Sequence, residues 1–123
     1  MANLTTEIKI VSNALTSDNI LVDLTDQFTV QVGGVMTVQV NATETGSADT
    51  ILLNTNYETP AYVWLRNMEN TSTDNYVTIN VGTEASFMVL KPGEWAWFPW
   101  NTTADIKAFG VNADQILEYG CFS

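Results

Sequence analysis

The densest apolar pattern in the chain runs from Ala61 to Trp100, and it alternates with the two-residue period that a strand requires. In Tyr62-Val63-Trp64-Leu65-Arg66, Val63 and Leu65 point one way and Tyr62, Trp64 and Arg66 the other. After the polar run Asn67 to Asn75, Val77, Ile79 and Val81 alternate with Tyr76, Thr78 and Asn80, which predicts a half-buried strand ended by Gly82. Phe87 to Lys91 and Glu94 to Phe98 flank Pro92-Gly93. Pro presets the first central φ of a tight turn and Gly supplies the positive φ of the second, so the pattern predicts a hairpin here. On its second strand Trp95 and Trp97 share one face and Ala96 and Phe98 the other, and Pro99, which cannot donate to a ladder, closes it.

The rest of the chain reads as further short strands. Met1 to Thr6 is small and polar, an expected N-terminal arm. Glu7 to Val11 alternates as an edge strand carrying Lys9, Ser12 to Asn19 has the composition of a loop, and Ile20 to Leu24 alternates again. Around Gly33-Gly34, a three-residue loop pairs Val32 with Met36, Val30 with Val38 and Phe28 with Val40, which keeps the apolar residues on one face where a two-residue turn would mix them. Asn41 to Asp49 is a polar loop, Ile51 to Asn54 a short strand, and Asp105 to Val111 another. The segment from Ala113 to Tyr119 fits two turns of helix stopped by Gly120, but Ile116, Glu118 and Phe122 also alternate with Leu117, Tyr119 and Cys121, and a final strand suits an all-β chain. About ten strands punctuated by turns predict one domain over residues 1–123, an antiparallel β-sandwich of jelly-roll type.

Composition narrows the functional classes. The chain has 123 residues, 46% hydrophobic, enough for one buried core. Its net charge of −10 disfavours nucleic acid and anionic membranes as partners, since either contact adds repulsion. With no His and a single Cys, Cys121, neither an intrachain disulfide nor a Cys/His zinc site can form, and Cys121 reads as a small core residue. No leader and no apolar run of membrane-spanning length stands out, so a soluble, non-exported protein is expected. Asn3, Asn41, Asn70 and Asn101 each begin an Asn-x-Ser/Thr triplet, better read as turn and edge chemistry. The acidic residues are scattered singly, without calcium-loop spacing. A pair such as Glu94 and Glu118 is the one acid–base arrangement worth weighing. The expectation is no enzyme, no catalytic residue, no cofactor and no metal.

What needs explaining is the surplus of aromatics. All four Trp lie at positions 64, 95, 97 and 100. Val63, Leu65, Val77, Ile79, Val81, Met88, Leu90, Ala96 and Phe98 already suffice for the inner faces of a sandwich this size, which leaves Trp64, Trp95 and Trp97 on the opposite faces. Tyr62, Trp64, Trp95, Trp97 and Trp100 are therefore the candidate contact residues, either at a subunit or partner interface or as a platform for sugar rings. Three exposed Trp on a small domain invite aggregation unless covered, which favours the interface.

Several stretches resemble small virion structural proteins of tailed bacteriophages, including those of cyanobacterial phages. They are Tyr62 to Asn67, Asn75 to Ile79, Leu90-Lys91-Pro92-Gly93-Glu94 with the aromatic run to Trp100, the ending Leu117 to Phe122, and the opening Met1 to Thr6 with Ile8-Lys9-Ile10. Ser12 to Glu58 adds little to the resemblance. It implies a β-sandwich on the virion, made in the host cytoplasm. The implied role is a capsid decoration or cement protein on the outer head surface, bound to the major capsid protein and to its own copies, often as a homotrimer. A tail or baseplate component is the first alternative. A carbohydrate-binding module, with a glycan as partner, is the second, from the aromatics alone.

Overall fold

A computed structural model describes residues 2–12, 20–40, 48–70, 74–83, 86–111 and 115–123. Among these residues it contains ten strands and no helix. The chain divides into two compact units, Met1–Gln31 and Val32–Ser123.

The first unit is an antiparallel ribbon of β1 (Ala2–Ser12) and β2 (Ile20–Val30). Its register sets Leu4 opposite Phe28, Ile8 opposite Leu24 and Ile10 opposite Val22, while Asn3 meets Thr29, Thr5 meets Gln27, Glu7 meets Thr25 and Lys9 meets Asp23. Because neighbours across an antiparallel pair share a face, the ribbon carries one mostly apolar side and one polar side. Residues 2–6, expected as an arm, form the first half of β1, and the short strands expected at Glu7–Val11 and Ile20–Leu24 are parts of the two long ones. The loop expected from Ser12 lies, over residues 13–19, outside the described residues.

The second unit holds β3 (Gly33–Val40), β4 (Asp49–Leu52), β5 (Ala61–Asn67), β6 (Val77–Val81), β7 (Met88–Leu90), β8 (Trp95–Trp100), β9 (Ile106–Gly110) and β10 (Gln115–Phe122). They form two four-stranded sheets, ordered β3-β10-β5-β8 and β4-β9-β6-β7. The antiparallel pairs β3 with β10, β4 with β9, β5 with β8 and β6 with β7 nest inside one another, as in one long ribbon folded over. The further pairings of β10 with β5 and of β9 with β6 join its halves into sheets. This is the eight-stranded jelly roll, an antiparallel β-sandwich.

Two expected hairpins do not form. The Pro92-Gly93 turn is present, with Gly93 at φ 79° and Glu94 N–H donating to the Lys91 carbonyl at 2.9 Å. However, β7 before it pairs with β6 and β8 after it pairs with β5, so the turn carries the chain from one sheet to the other. Gly33-Gly34 makes no turn either. Neither glycine has positive φ, and both lie within β3 opposite Phe122 and Cys121, while Phe28 and Val30 pair with Leu4 and Ala2. The space over Gly33 is taken by a ring: a Cβ there would stand 2.5 Å from Phe122 Cδ1.

The core lies between the two sheets. Val63 and Leu65 of β5, Val77 and Ile79 of β6, Ile106 and Ala108 of β9 and Leu117 of β10 are fully buried, as the alternation of each strand requires. Cys121 joins them, and burial pushes its thiol up to about 11. The residue ending β5, Asn67, is also fully buried. Its Nδ2 donates to the Asn75 carbonyl at 2.8 Å and to the Leu90 carbonyl at 3.0 Å, and its Oδ1 accepts from Glu69 N–H at 3.0 Å. One side chain thereby ties the end of β5 to the segments leading into β6 and out of β7. The polar turn expected from Asn67 begins only after this residue, and residues 71–73 of it lie outside the described residues. The same holds for residues 41–47 of the loop before β4.

Candidate functional site

The outer face of the β3-β10-β5-β8 sheet follows from strand parity. With Val63, Leu65 and Asn67 turned inward, β5 must present Tyr62, Trp64 and Arg66 outward. In β8 the outward residues are Trp95, Trp97 and Pro99, set opposite Arg66, Trp64 and Tyr62 respectively. On the other side of β5, Phe122 stands opposite Tyr62, Gly120 opposite Trp64 and Glu118 opposite Arg66. Val35 and Ile116 complete the face toward its β3 edge, each about half exposed.

The rings contact one another across the strands on the diagonal. Tyr62 stacks on Trp97 with centroids 5.7 Å apart and planes 7° from parallel. Trp64 stacks on Trp95 at 5.6 Å and 29°. Trp97 reaches Phe122 at 5.9 Å. Diagonal partners on adjacent strands are too far apart for small side chains but within reach of aromatic ones, which is why large rings are needed at these four positions. A hydrogen bond pins the row: Trp64 Nε1–H donates to Glu118 Oε1 at 2.8 Å. The result is a continuous aromatic ridge on the solvent side of a sheet whose other side is already packed. Trp95, at its end, is 53% exposed.

Four of the five residues singled out from the sequence, Tyr62, Trp64, Trp95 and Trp97, are brought together here. Trp100 is not with them. It sits on the opposite face of β8, 6% exposed in the core, with Tyr57 edge-on at 6.1 Å. Parity alone separates it from Trp95 and Trp97, and its place in a dense aromatic run concealed that. Phe122 and Glu118 also belong to this face, and their alternation with Tyr119 and Cys121 is the signal in the sequence that places them there. The two carboxylates weighed as an acid–base pair have separate partners, Glu118 in the Trp64 bond and Glu94 in accepting Lys91 N–H at 2.8 Å, which braces the turn before β8. Among the described residues no group of three or more His, Cys, Asp or Glu is placed to hold a metal ion. Comparison with known proteins finds no matching family model and no matching curated protein.

Proposed function

We propose that the protein is a non-enzymatic structural component of a phage particle, a decoration or cement protein that binds the outer surface of the head and other copies of itself. The observation that carries this reading is the aromatic ridge of Trp95, Trp64, Tyr62, Trp97 and Phe122 on a sheet face that the fold does not need for its own core. Protein interfaces are enriched in Trp and Tyr at well-packed centres, and a ridge of this kind gives up apolar area on contact at little cost in side-chain entropy. The resemblance of its strands to virion proteins supplies the partner, the major capsid protein. The net charge of −10 suits an outer surface away from packaged DNA.

The stacking geometry favours a protein partner over a glycan. In each stacked pair one face of each ring is spent on its neighbour, and the Trp64 indole N–H is spent on Glu118. A sugar platform needs open ring faces, and Trp95 is the ring most exposed among the four Trp. The decisive experiment is to mix the purified protein with capsids that lack it. Co-sedimentation and a raised capsid disruption temperature are expected, with attachment weakening as salt screens the acidic rim. Recovery of the protein with tails in fractionated particles, or Trp fluorescence changes on glycan titration without capsid binding, would replace this reading by the tail or carbohydrate one.

A further inference from the structure

The strands that end each sheet differ in how they are protected. An end strand presents unpaired peptide N–H and C=O groups to any passing strand, and proteins blunt such edges with charges, prolines, bulges or very short strands. Here β4 has four residues, Asp49 among them, and a register shift between Thr50 and Leu52; β7 has three residues, and β8 contains Pro99. The ribbon strands carry Glu7 and Lys9 on β1 and Asp23 and Asp26 on β2. β3 has none of these devices. It ends its sheet with eight residues, Gly33 to Val40, that include no charge and no proline and hold an unbroken register against β10.

The ladder fixes which peptide groups of β3 are left over. Val32 and Ser123 exchange both N–H···O bonds, each at 2.9 Å, and in an antiparallel pair such exchanges recur at every second residue, so Gly34, Met36 and Val38 are the residues bonded to β10. Gly33, Val35 and Thr37 therefore turn their N–H and C=O toward the free edge, and among the described residues β3 pairs with β10 alone. Both faces are open beside that edge: Val35 on the outer side is 52% exposed, and Met36 on the inner side 58%, although Tyr119 Oη–H donates to Met36 Sδ at 2.8 Å. We infer that β3 pairs antiparallel with β3 of a second copy of this chain. Peptide groups that alternate at strand spacing call for a strand as occupant, and charge selects which one. With a net charge of −10 two copies repel over most approaches, but along β3 an uncharged segment meets itself. The contact is self-complementary about a two-fold axis, so one event satisfies both unprotected edges and leaves the sheet ending at β8, which Pro99 protects. This contact is separate from the aromatic ridge and does not rest on the role proposed for it.

The test uses the full chain carrying Trp95→Ala, which weakens any contact through the ridge, so that the two surfaces are read apart. Sedimentation velocity over a dilution series should still show a dimer. Val35→Lys puts a charge on an already exposed position of the edge, and Thr37→Pro removes an outward N–H that the protomer does not use; each should weaken the dimer at least about tenfold, since charges repel across the axis in one and carbonyls lose their donors in the other. Val35→Lys carries the test alone if Thr37→Pro does not fold. Amide exchange followed by nuclear magnetic resonance supplies a readout specific to strand pairing. The Gly33 and Thr37 amides should exchange at least about tenfold more slowly in the dimer than in the Val35→Lys protein, while Gly34 and Met36, already bonded to β10, change less. Absence of a dimer, a dimer indifferent to Val35→Lys, or fast exchange at Gly33 and Thr37 within the dimer would each overturn the inference. So would a monomer whose binding to capsids is lost with Val35→Lys, which would give the edge to a capsid strand instead.

Discussion

Replacing Trp95 by Ala separates interface from core more sharply than any other single change. A Trp side chain carries roughly 150–250 Å² of buriable surface, and 53% of Trp95 remains exposed in the protomer. About 80–130 Å² is thus left for a partner, worth about 2–3 kcal/mol at about 25 cal/mol per Å², or about 30- to 150-fold in affinity for each subunit contact that buries it. Within the protomer the same change removes the stack on Trp64, about 0.5–1.5 kcal/mol beyond simple area. Leu65→Ala makes the contrast. Leu65 is fully buried, so its truncation should cost about 2–5 kcal/mol of folding stability and reach association only through the fold. Sedimentation velocity over a dilution series, with far-ultraviolet circular dichroism on the same samples, reads both quantities. Trp95→Ala should dissociate at much higher concentration than wild type while keeping its β spectrum. If it assembles with unchanged concentration dependence, or loses the β spectrum outright, the ridge is not a subunit contact.

Two further predictions concern the interior. Asn67→Ala removes three hydrogen bonds that tie β5 to its neighbouring segments, and should lower unfolding stability in urea by about 2–4 kcal/mol without changing assembly of the folded protein. Cys121, raised by burial from 9.0 to about 11, stays a neutral thiol in the folded state. It should react with a thiol reagent only as fast as the chain opens. Its sign for stability follows directly: above pH about 9 the unfolded chain loses this proton while the folded one keeps it, so stability should fall between pH about 9 and about 11 and the Cys121→Ala variant should show less of that fall.

Much of the architecture is legible in local pattern, and what escapes it is long-range. Alternation within β5 and β10 places inward and outward residues correctly, because a strand's two faces are set by parity alone, whereas in β6 Thr78, expected on the outer face, is buried as well as Val77 and Ile79. Partners are another matter. Met36 and Tyr119, whose side chains meet, are 83 residues apart, and nothing local to either signals the other. Pro92-Gly93 shows the limit clearly: the dihedral angles that make a tight turn are the same whether the strands leaving it pair with each other or cross to different sheets. The glycines at 33 and 34 mislead for a different reason. Paired glycines usually mark a turn, but at Gly33 the missing side chain makes room for the Phe122 ring. Of the candidate site, the ridge was visible as a surplus of aromatics over core positions. The buried amide of Asn67 was not, since a strand ending in Asn before a polar run looks like any loop boundary.

The ribbon of β1 and β2 leads to the last prediction. Two antiparallel strands alone in water are marginal, and three or more strands or a packed face are ordinarily required. This ribbon pairs over eleven residues on each strand, and yet Ile10 and Leu24, on its apolar side, are each more than half exposed. The sandwich, by contrast, has a buried core cluster built from residues between Val40 and Cys121 of the second unit. Removal of residues 1–31 should therefore leave a folded sandwich, with a melting temperature within several degrees of the full chain. Hydrogen exchange should show the complementary half of the argument. In the dilute protomer the amides of β1 and β2 should exchange far faster than those of β5 and β6, because a two-stranded ribbon is marginal by itself whereas β5 and β6 lie inside four-stranded sheets. On assembly, or on binding to capsids, their protection should rise by at least about tenfold as the apolar side gains cover. Strong protection of β1 and β2 in the dilute protomer, or an unfolded chain after truncation, would show that the ribbon is an integral part of the fold and that its apolar side is not held for a partner.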